Sequence, residues 1–293
     1  MASQWGAVIT AMVTPFDDDG ALDLPAAAEL GRWLQDHGND ALVVAGTTGE
    51  APTLTDDEKL DLFRAVSEAV TIPVIAGTGS NNTAETIELT RKASATGAAG
   101  VLVVGPYYNR PPQSGIEAHY RAVAASTTLP IMIYDVPGRT GRRIAHDVLV
   151  RLFTEVPNLV AFKDATGDPP AGGRLLVDVP SLELYCGDEP LTLAYLAEGA
   201  IGVVGVATHW CAAETGEMIA AFEKGDIVHA REINARLRES FVFMNNDTCV
   251  FSQATKAMMR TLGLRVGECR LPLGRAPMGT EERGREVYAN LHA

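Results

Sequence analysis

Eight short apolar runs recur along the chain: GAVITAMVTPF from Gly6, ALVVAGTTG from Ala41, IPVIAGTGS from Ile72, AGVLVVGPYY from Ala99, LPIMIYDVPG from Leu129, NLVAFKDATG from Asn158, LELYCGDE from Leu182 and AIGVVGVAT from Ala200. Hydrophobicity that is continuous rather than alternating suits strands covered on both faces, as in a parallel sheet with helices outside. Between the runs the period becomes helical. Leu24, Ala27, Leu30 and Leu34 fall three or four apart and share one face of a predicted helix. Thr55 and Glu58 have capping-box spacing ahead of a stripe of Leu60, Phe63 and Val66. Asn82 with Glu85 reads as another helix start, which leaves Asn81 without a role. Strand–helix units repeating roughly every 25 to 30 residues predict an α/β fold, a (β/α)8 TIM barrel, with a doubly wound open sheet as the competing architecture. After the eighth unit the rhythm gives way to three helical segments, Asp226 to Met244, Phe251 to Leu264 and Thr280 to Ala293. The expected organisation is a catalytic barrel over 1–225 and a small C-terminal helical appendage over 226–293. No Gly/Ser linker separates them, so the appendage should pack on the barrel.

Composition narrows the function. With 293 residues, 46% of them hydrophobic, the chain can bury a large core. A net charge of -13 argues against nucleic acid or an anionic membrane as a partner, and any anionic substrate would need a local cationic anchor. No run approaches the ~20 apolar residues of a membrane span, and the start lacks a basic segment followed by an apolar one, so a cytoplasmic protein is expected. Cys186, Cys211, Cys249 and Cys269 show no CxxC spacing, which predicts free thiols. The histidines are equally dispersed, and no metal site is expected.

In a barrel, every loop that follows a strand opens on one face, where this fold keeps its active sites. That face collects Thr47 and Thr48, Tyr107 and Tyr108, Tyr134 with Arg139, and Lys163. Lys163 ends a buried-looking strand, so its amine must be solvated, paired or deprotonated. A neutral amine can attack a carbonyl and form a Schiff base; the alternative is a lysine that reaches solvent or pairs with Asp164. Tyr134 could carry protons to and from such an adduct, or simply plug the strand end. GTTGE offers hydroxyls and backbone N–H groups to an anion, or is only a glycine-assisted turn. Arg139 could bind a carboxylate bidentately, or be a solvated loop residue. GTGSNNTAE lacks both GK[ST] and GxGxxG and is not read as a nucleotide loop.

Taken in order, VTPF, GTTGE, PVIAGTG, PYYNRPPQ, YDVPGRTG, KDATG and GDE resemble the dihydrodipicolinate synthase branch of the pyruvate-dependent class I aldolases, the N-acetylneuraminate lyase family. The resemblance spans nearly the whole barrel. It implies a Schiff base between Lys163 and pyruvate, whose enamine attacks aspartate 4-semialdehyde to give 4-hydroxy-tetrahydrodipicolinate, on the way to diaminopimelate and lysine. It also implies that no cofactor takes part. Thr47, Tyr108 and Tyr134 would relay protons, Tyr108 acting across a homodimer or within a homotetramer built as a dimer of dimers. Thr48 would hold the pyruvate carboxylate, Arg139 would receive that of the semialdehyde, and Gly187 and Val204 would border the site. Arg139 favours the synthase over aldolases acting on 2-keto-3-deoxy sugar acids or sialic acid. A non-catalytic oxoacid-binding barrel, the second alternative, would not need the amine. Asp135 stands where many synthases have asparagine.

Members inhibited by lysine use residues matching Asn81, Glu85 and Tyr107 together with histidines, whose positions here read Asp56 and Lys59. Lys59 would repel an incoming ammonium, so feedback inhibition is expected to be weak or absent. MNNDTCVFSQATKAMM, from Met244, departs from the family's Asn-Pro-rich stretch and leaves the packing of the appendage, and the assembly beyond a dimer, open.

Overall fold

The computed structural model describes residues 3–246 and 248–293. Strands β1 (Val8–Ala11), β2 (Ala41–Val44), β3 (Val74–Gly77), β4 (Gly100–Val104), β5 (Ile131–Asp135), β6 (Leu159–Asp164), β7 (Glu183–Cys186) and β8 (Gly202–Gly205) close into a barrel. Each pairs in parallel with the next, and β8 returns to β1 through Ile9 opposite Val204. The open-sheet alternative is thereby excluded.

The continuous apolar runs resolve into two faces. Ile9, Val43, Ile75, Leu102, Met132, Ala161 and Val204 point inward and fill the barrel. Their neighbours Leu42, Val44, Val103, Ile133, Phe162 and Val203 point outward into the helix layer. Strand side chains alternate with period two, but both sides here are dry, so the sequence shows no alternation.

The outer layer is α1 (Leu24–Asp36), α2 (Asp56–Ala69), α3 (Thr83–Ala93), α4 (Gln113–Ala124), the single turn α5 (Pro137–Thr140), α6 (His146–Glu155), α7 (Pro169–Asp178), α8 (Thr192–Ala197) and α9 (Thr208–Glu223). α1 buries Ala27, Leu30 and Leu34 as its period predicts. The capping box of α2 is formed: Thr55 Oγ1 accepts from Glu58 N–H at 3.2 Å, and Glu58 Oε2 accepts from Thr55 N–H at 2.8 Å. Its buried stripe is Leu62, Phe63 and Val66, with Leu60 only partly covered. Successive steps of three drift off one face by about 60° each, so the 60–63–66 series leaves the core side at its first member. On α3, Asn82 caps Ala84 N–H at 3.0 Å, and its side-chain amide donates to Glu85 at 2.9 Å.

Helices α10 (Ile227–Met244), α11 (Phe251–Thr261) and α12 (Thr280–Leu291) occupy the expected C-terminal positions. They share a second apolar core with α9, built from Trp210, Met218, Ile233, Leu237, Met258 and Val287. The appendage therefore lies on the barrel, and the segment between α11 and α12 crosses back to it, where Phe16 N–H donates to the Val266 carbonyl at 3.2 Å. No helix among the described residues is long and apolar enough to cross a membrane.

Candidate active site

The registry of β5 with β6 sets Tyr134 directly beside Lys163. Tyr134 belongs to the inward-facing cluster, and the Lys163 ammonium lies 4.4 Å from its ring centroid. Only 6% of Lys163 is exposed. Burial lowers its pKa to about 8, against the pull of the Glu189 carboxylate, which favours the charged form. Burial also raises the Tyr134 phenol to about 12, opposed by the Arg139 charge and the nearby Thr47 hydroxyl. The site thus holds a weakened base beside a phenol that keeps its proton, suited to attack on a carbonyl and to proton return.

Gly187 is beside the lysine for a steric reason: a Cβ there would stand 3.0 Å from Lys163 Cγ and 3.0 Å from Ala165 Cβ. Val204 is buried on the inner wall of β8, and Thr48 is buried in the turn after β2.

A cavity of about 630 Å3 opens over this floor. Thr47, Tyr107, Tyr108, Tyr134 and Arg139 line it, and it runs on between α2 and α3 to Lys59 and Glu85. Lys163, Thr48, Gly187, Val204 and Asn81 are not in its wall; Asn81 instead offers its carbonyl to the Asn109 amide at 3.0 Å. Tyr108 is 90% exposed and has a left-handed backbone with φ of 71°. Lys59 is paired with Asp56 at 3.1 Å.

Arg139 comes from the α5 turn, and its guanidinium lies 4.6 Å from the ring centroid of Phe251, the first residue of α11. Stacking occupies the face of the guanidinium and leaves its N–H edges for a carboxylate.

Several contributors were not picked out from sequence. Glu189 ends the GDE motif, whose spacing alone assigns it no chemistry. It is fully buried, its pKa is raised to about 7 by burial, and its carboxylate accepts from Val206 N–H at 2.8 Å and Thr208 N–H at 3.2 Å. A Cβ on Gly205 would meet it at 2.5 Å, so the glycine opposite is the sequence signal that could have pointed to it. Phe251 had no such signal. Asp135 adjoins Tyr134 in sequence but, by strand alternation, faces the helix layer, where it accepts from Ile144 N–H at 3.0 Å and burial raises its pKa to about 7. All four cysteines are free and buried. Among the described residues, no three His, Cys, Asp or Glu side chains are arranged to hold a metal ion.

Known proteins match this chain along nearly its whole length. The 4-hydroxy-tetrahydrodipicolinate synthase of Acidothermus cellulolyticus is 49% identical over 288 residues, covering 97% of this chain and 92% of the relative. A dihydrodipicolinate synthase from Bacillus anthracis superposes with a TM-score of 0.92 at 41% identity over 99% of both chains. The enzyme from Cyanidioschyzon merolae, solved with lysine bound, superposes with a TM-score of 0.93 at 41% identity over 98% of both. The profile of the dihydrodipicolinate synthetase family matches residues 4–292, and the chain belongs to that family.

Proposed function

We propose that this protein condenses pyruvate with aspartate 4-semialdehyde through a Schiff base on Lys163, giving 4-hydroxy-tetrahydrodipicolinate for diaminopimelate and lysine biosynthesis. The neutral Lys163 amine adds to the pyruvate C2 carbonyl, and loss of water gives the imine. Loss of a C3 proton forms the enamine, whose carbon attacks the aldehyde. The amino group of the semialdehyde then displaces Lys163 from C2, closing the ring and freeing the enzyme. Tyr134 and Thr47, with the partner subunit's Tyr108, move the protons. Thr48 and the N–H groups of its turn hold the pyruvate carboxylate, and Arg139 takes the carboxylate of the semialdehyde. Gly187 and Val204 shape the floor.

The observation that carries this reading is the enclosed amine. With a pKa of about 8, about one Lys163 in ten is neutral at pH 7, against about one in several thousand for an unshifted amine. Incubation with pyruvate, borohydride reduction and peptide mass spectrometry should place an adduct on Lys163; an unmodified Lys163 refutes the mechanism. A coupled assay should then prefer aspartate 4-semialdehyde to sugar aldehydes.

We divide the chain into a catalytic barrel, 1–225, and a helical region, 226–293, and infer an assembly of at least two copies. Tyr108 supports this, because its ring is bare in the single chain. Mixing two inactive variants, Tyr108→Phe and Lys163→Met, should restore activity if the phenol acts in trans. The water-soluble substrates make the cytoplasm the inferred compartment. Lysine feedback is inferred to be weak: Glu85 and Tyr107 line the cavity, but Lys59, tied to Asp56 at 3.1 Å, lines it too and places its ammonium where that of a lysine ligand would enter. Inhibition by submillimolar lysine in a steady-state assay would refute this.

A further inference from the structure

The turn that carries Thr47 and Thr48 is bracketed by two non-glycine residues with left-handed backbones, Ala45 with φ of 52° and Glu50 with φ of 58°. Such conformations persist only where the surroundings hold them. Inside the barrel domain the turn is held by Thr14, whose hydroxyl donates to the Gly49 carbonyl at 2.6 Å, and by its own Glu50 N–H to the Thr47 carbonyl at 3.1 Å. Ala51 N–H closes the turn onto the Gly46 carbonyl at 3.2 Å, and a further grip comes from more than two hundred residues away. Glu50 is fully enclosed, and Lys256 of α11, also 0% exposed, brings its ammonium to 2.7 Å from Glu50 Oε1. At that distance, and with both groups away from water, the pair is held by charge. The ammonium also donates to the Glu268 carbonyl at 3.0 Å and lies 4.2 Å from the Phe16 ring centroid.

Arg270 completes the grip. Its N–H donates to the other Glu50 oxygen at 2.8 Å. Its guanidinium also lies over the Phe16 ring at 4.2 Å from the centroid, donates to the Thr53 carbonyl at 2.8 Å and forks onto Glu58, the capping-box glutamate of α2, at 2.6 and 3.0 Å. Two cations of the C-terminal region thus fasten both ends of the segment 50–58, one end of which is the threonine turn.

We propose that Glu50, Lys256 and Arg270 form a clamp by which the C-terminal helical region positions Thr47 and Thr48 for catalysis. They are positioning residues: none reaches the cavity, and each acts through the turn. The proposal rests on the roles assigned above to the two threonines. Arg139 sits on a different loop, α5, and although it stacks on Phe251 of the same helix α11, none of the three clamp residues touches it, so the pyruvate side should be affected more than the aldehyde side. Displacement of the turn by about 1 Å costs on the order of 10- to 100-fold in rate.

Kinetics of the full-length enzyme carrying Lys256→Met, Arg270→Met and the charge-free double variant Glu50→Gln/Lys256→Met test it, with melting and circular dichroism confirming the folded state. In Lys256→Met and the double variant kcat should fall about 10- to 100-fold and KM for pyruvate rise several-fold, with KM for the aldehyde changing less, and Arg270→Met, which keeps its backbone N–H on Glu50, should show a smaller fall in kcat. The double variant, which leaves no buried charge without its partner, decides the matter if Lys256→Met does not fold. Folded variants with parental kcat and pyruvate KM, or with both KM values raised alike, overturn the clamp. A Thr47→Val control separates the two ideas: if it leaves kcat unchanged, the role of the turn itself fails; if it lowers kcat while the clamp variants do not, only the clamp fails.

Discussion

Two lysines are enclosed in this molecule, and the fold treats them oppositely. Lys163 sits on β6 beside the Tyr134 ring at 4.4 Å; Lys256 sits on α11 beside the Phe16 ring at 4.2 Å. Burial pulls both below the ordinary amine pKa. Lys256 is given a carboxylate at 2.7 Å and a carbonyl at 3.0 Å, which keep it charged. Lys163 has no hydrogen-bond partner among the described residues, and the Glu189 carboxylate is committed to backbone N–H groups of the turn after β8. Enclosure alone therefore does not make a lysine a nucleophile. Enclosure without a partner does, because the amine then escapes its desolvation penalty only by losing its proton.

The sharpest test exchanges each lysine for methionine. Lys163→Met should lower turnover on the order of 10^4-fold or more and abolish the borohydride adduct. The same exchange should leave the fold intact or firmer, since it removes an unpaired buried amine. Lys256→Met should instead cost about 3–5 kcal/mol in urea denaturation, because Glu50 is left buried without its counter-charge. Adding Glu50→Gln should recover most of that loss. If Lys163→Met proves the more destabilising of the two, the contrast is broken.

A smaller effect separates the lysines by pH. The folded pKa of Lys163 is about 8 and its unfolded value 10.5. Between these the unfolded chain binds the extra proton, so stability rises with pH across that window. The penalty is fully present below pH 8 and gone above pH 10.5. The advantage of Lys163→Met over the parent should be on the order of 3 kcal/mol below pH 8 and should vanish towards pH 10.5, read by denaturant titration at each pH. The smallest expected effect is kinetic: at subsaturating pyruvate, imine formation should rise about tenfold per pH unit and level near pH 8.

The barrel was readable because each strand and helix carries its own local signal. Dry strands, capping residues such as Thr55 and Asn82, and helix stripes appear within a few neighbouring positions. The grouping of Thr47, Tyr107, Tyr108, Tyr134 and Arg139 around one cavity followed from that order, since every βα loop opens on one side. What escaped was long-range. Glu189 acts through a turn after the next strand, Phe251 stacks on Arg139 from another helix, and Lys256 meets Glu50 across the whole chain. Asp135 shows a subtler limit: its neighbour Tyr134 faces the site, but strand alternation turns Asp135 to the other side.

The sequence by itself determined the eight-fold rhythm, the C-terminal helices and the short motifs that supply an amine, a phenol, a threonine turn and an arginine. Tertiary structure decided their states. Whether Lys163 holds or loses its proton depends on which charges the barrel brings near it, and whether the Thr47–Thr48 turn is held depends on α11 folding back over it. Burial and Coulomb interactions act through space rather than along the chain, so only the closed fold decides which buried lysine has a carboxylate at 2.7 Å and which has no hydrogen-bond partner among the described residues.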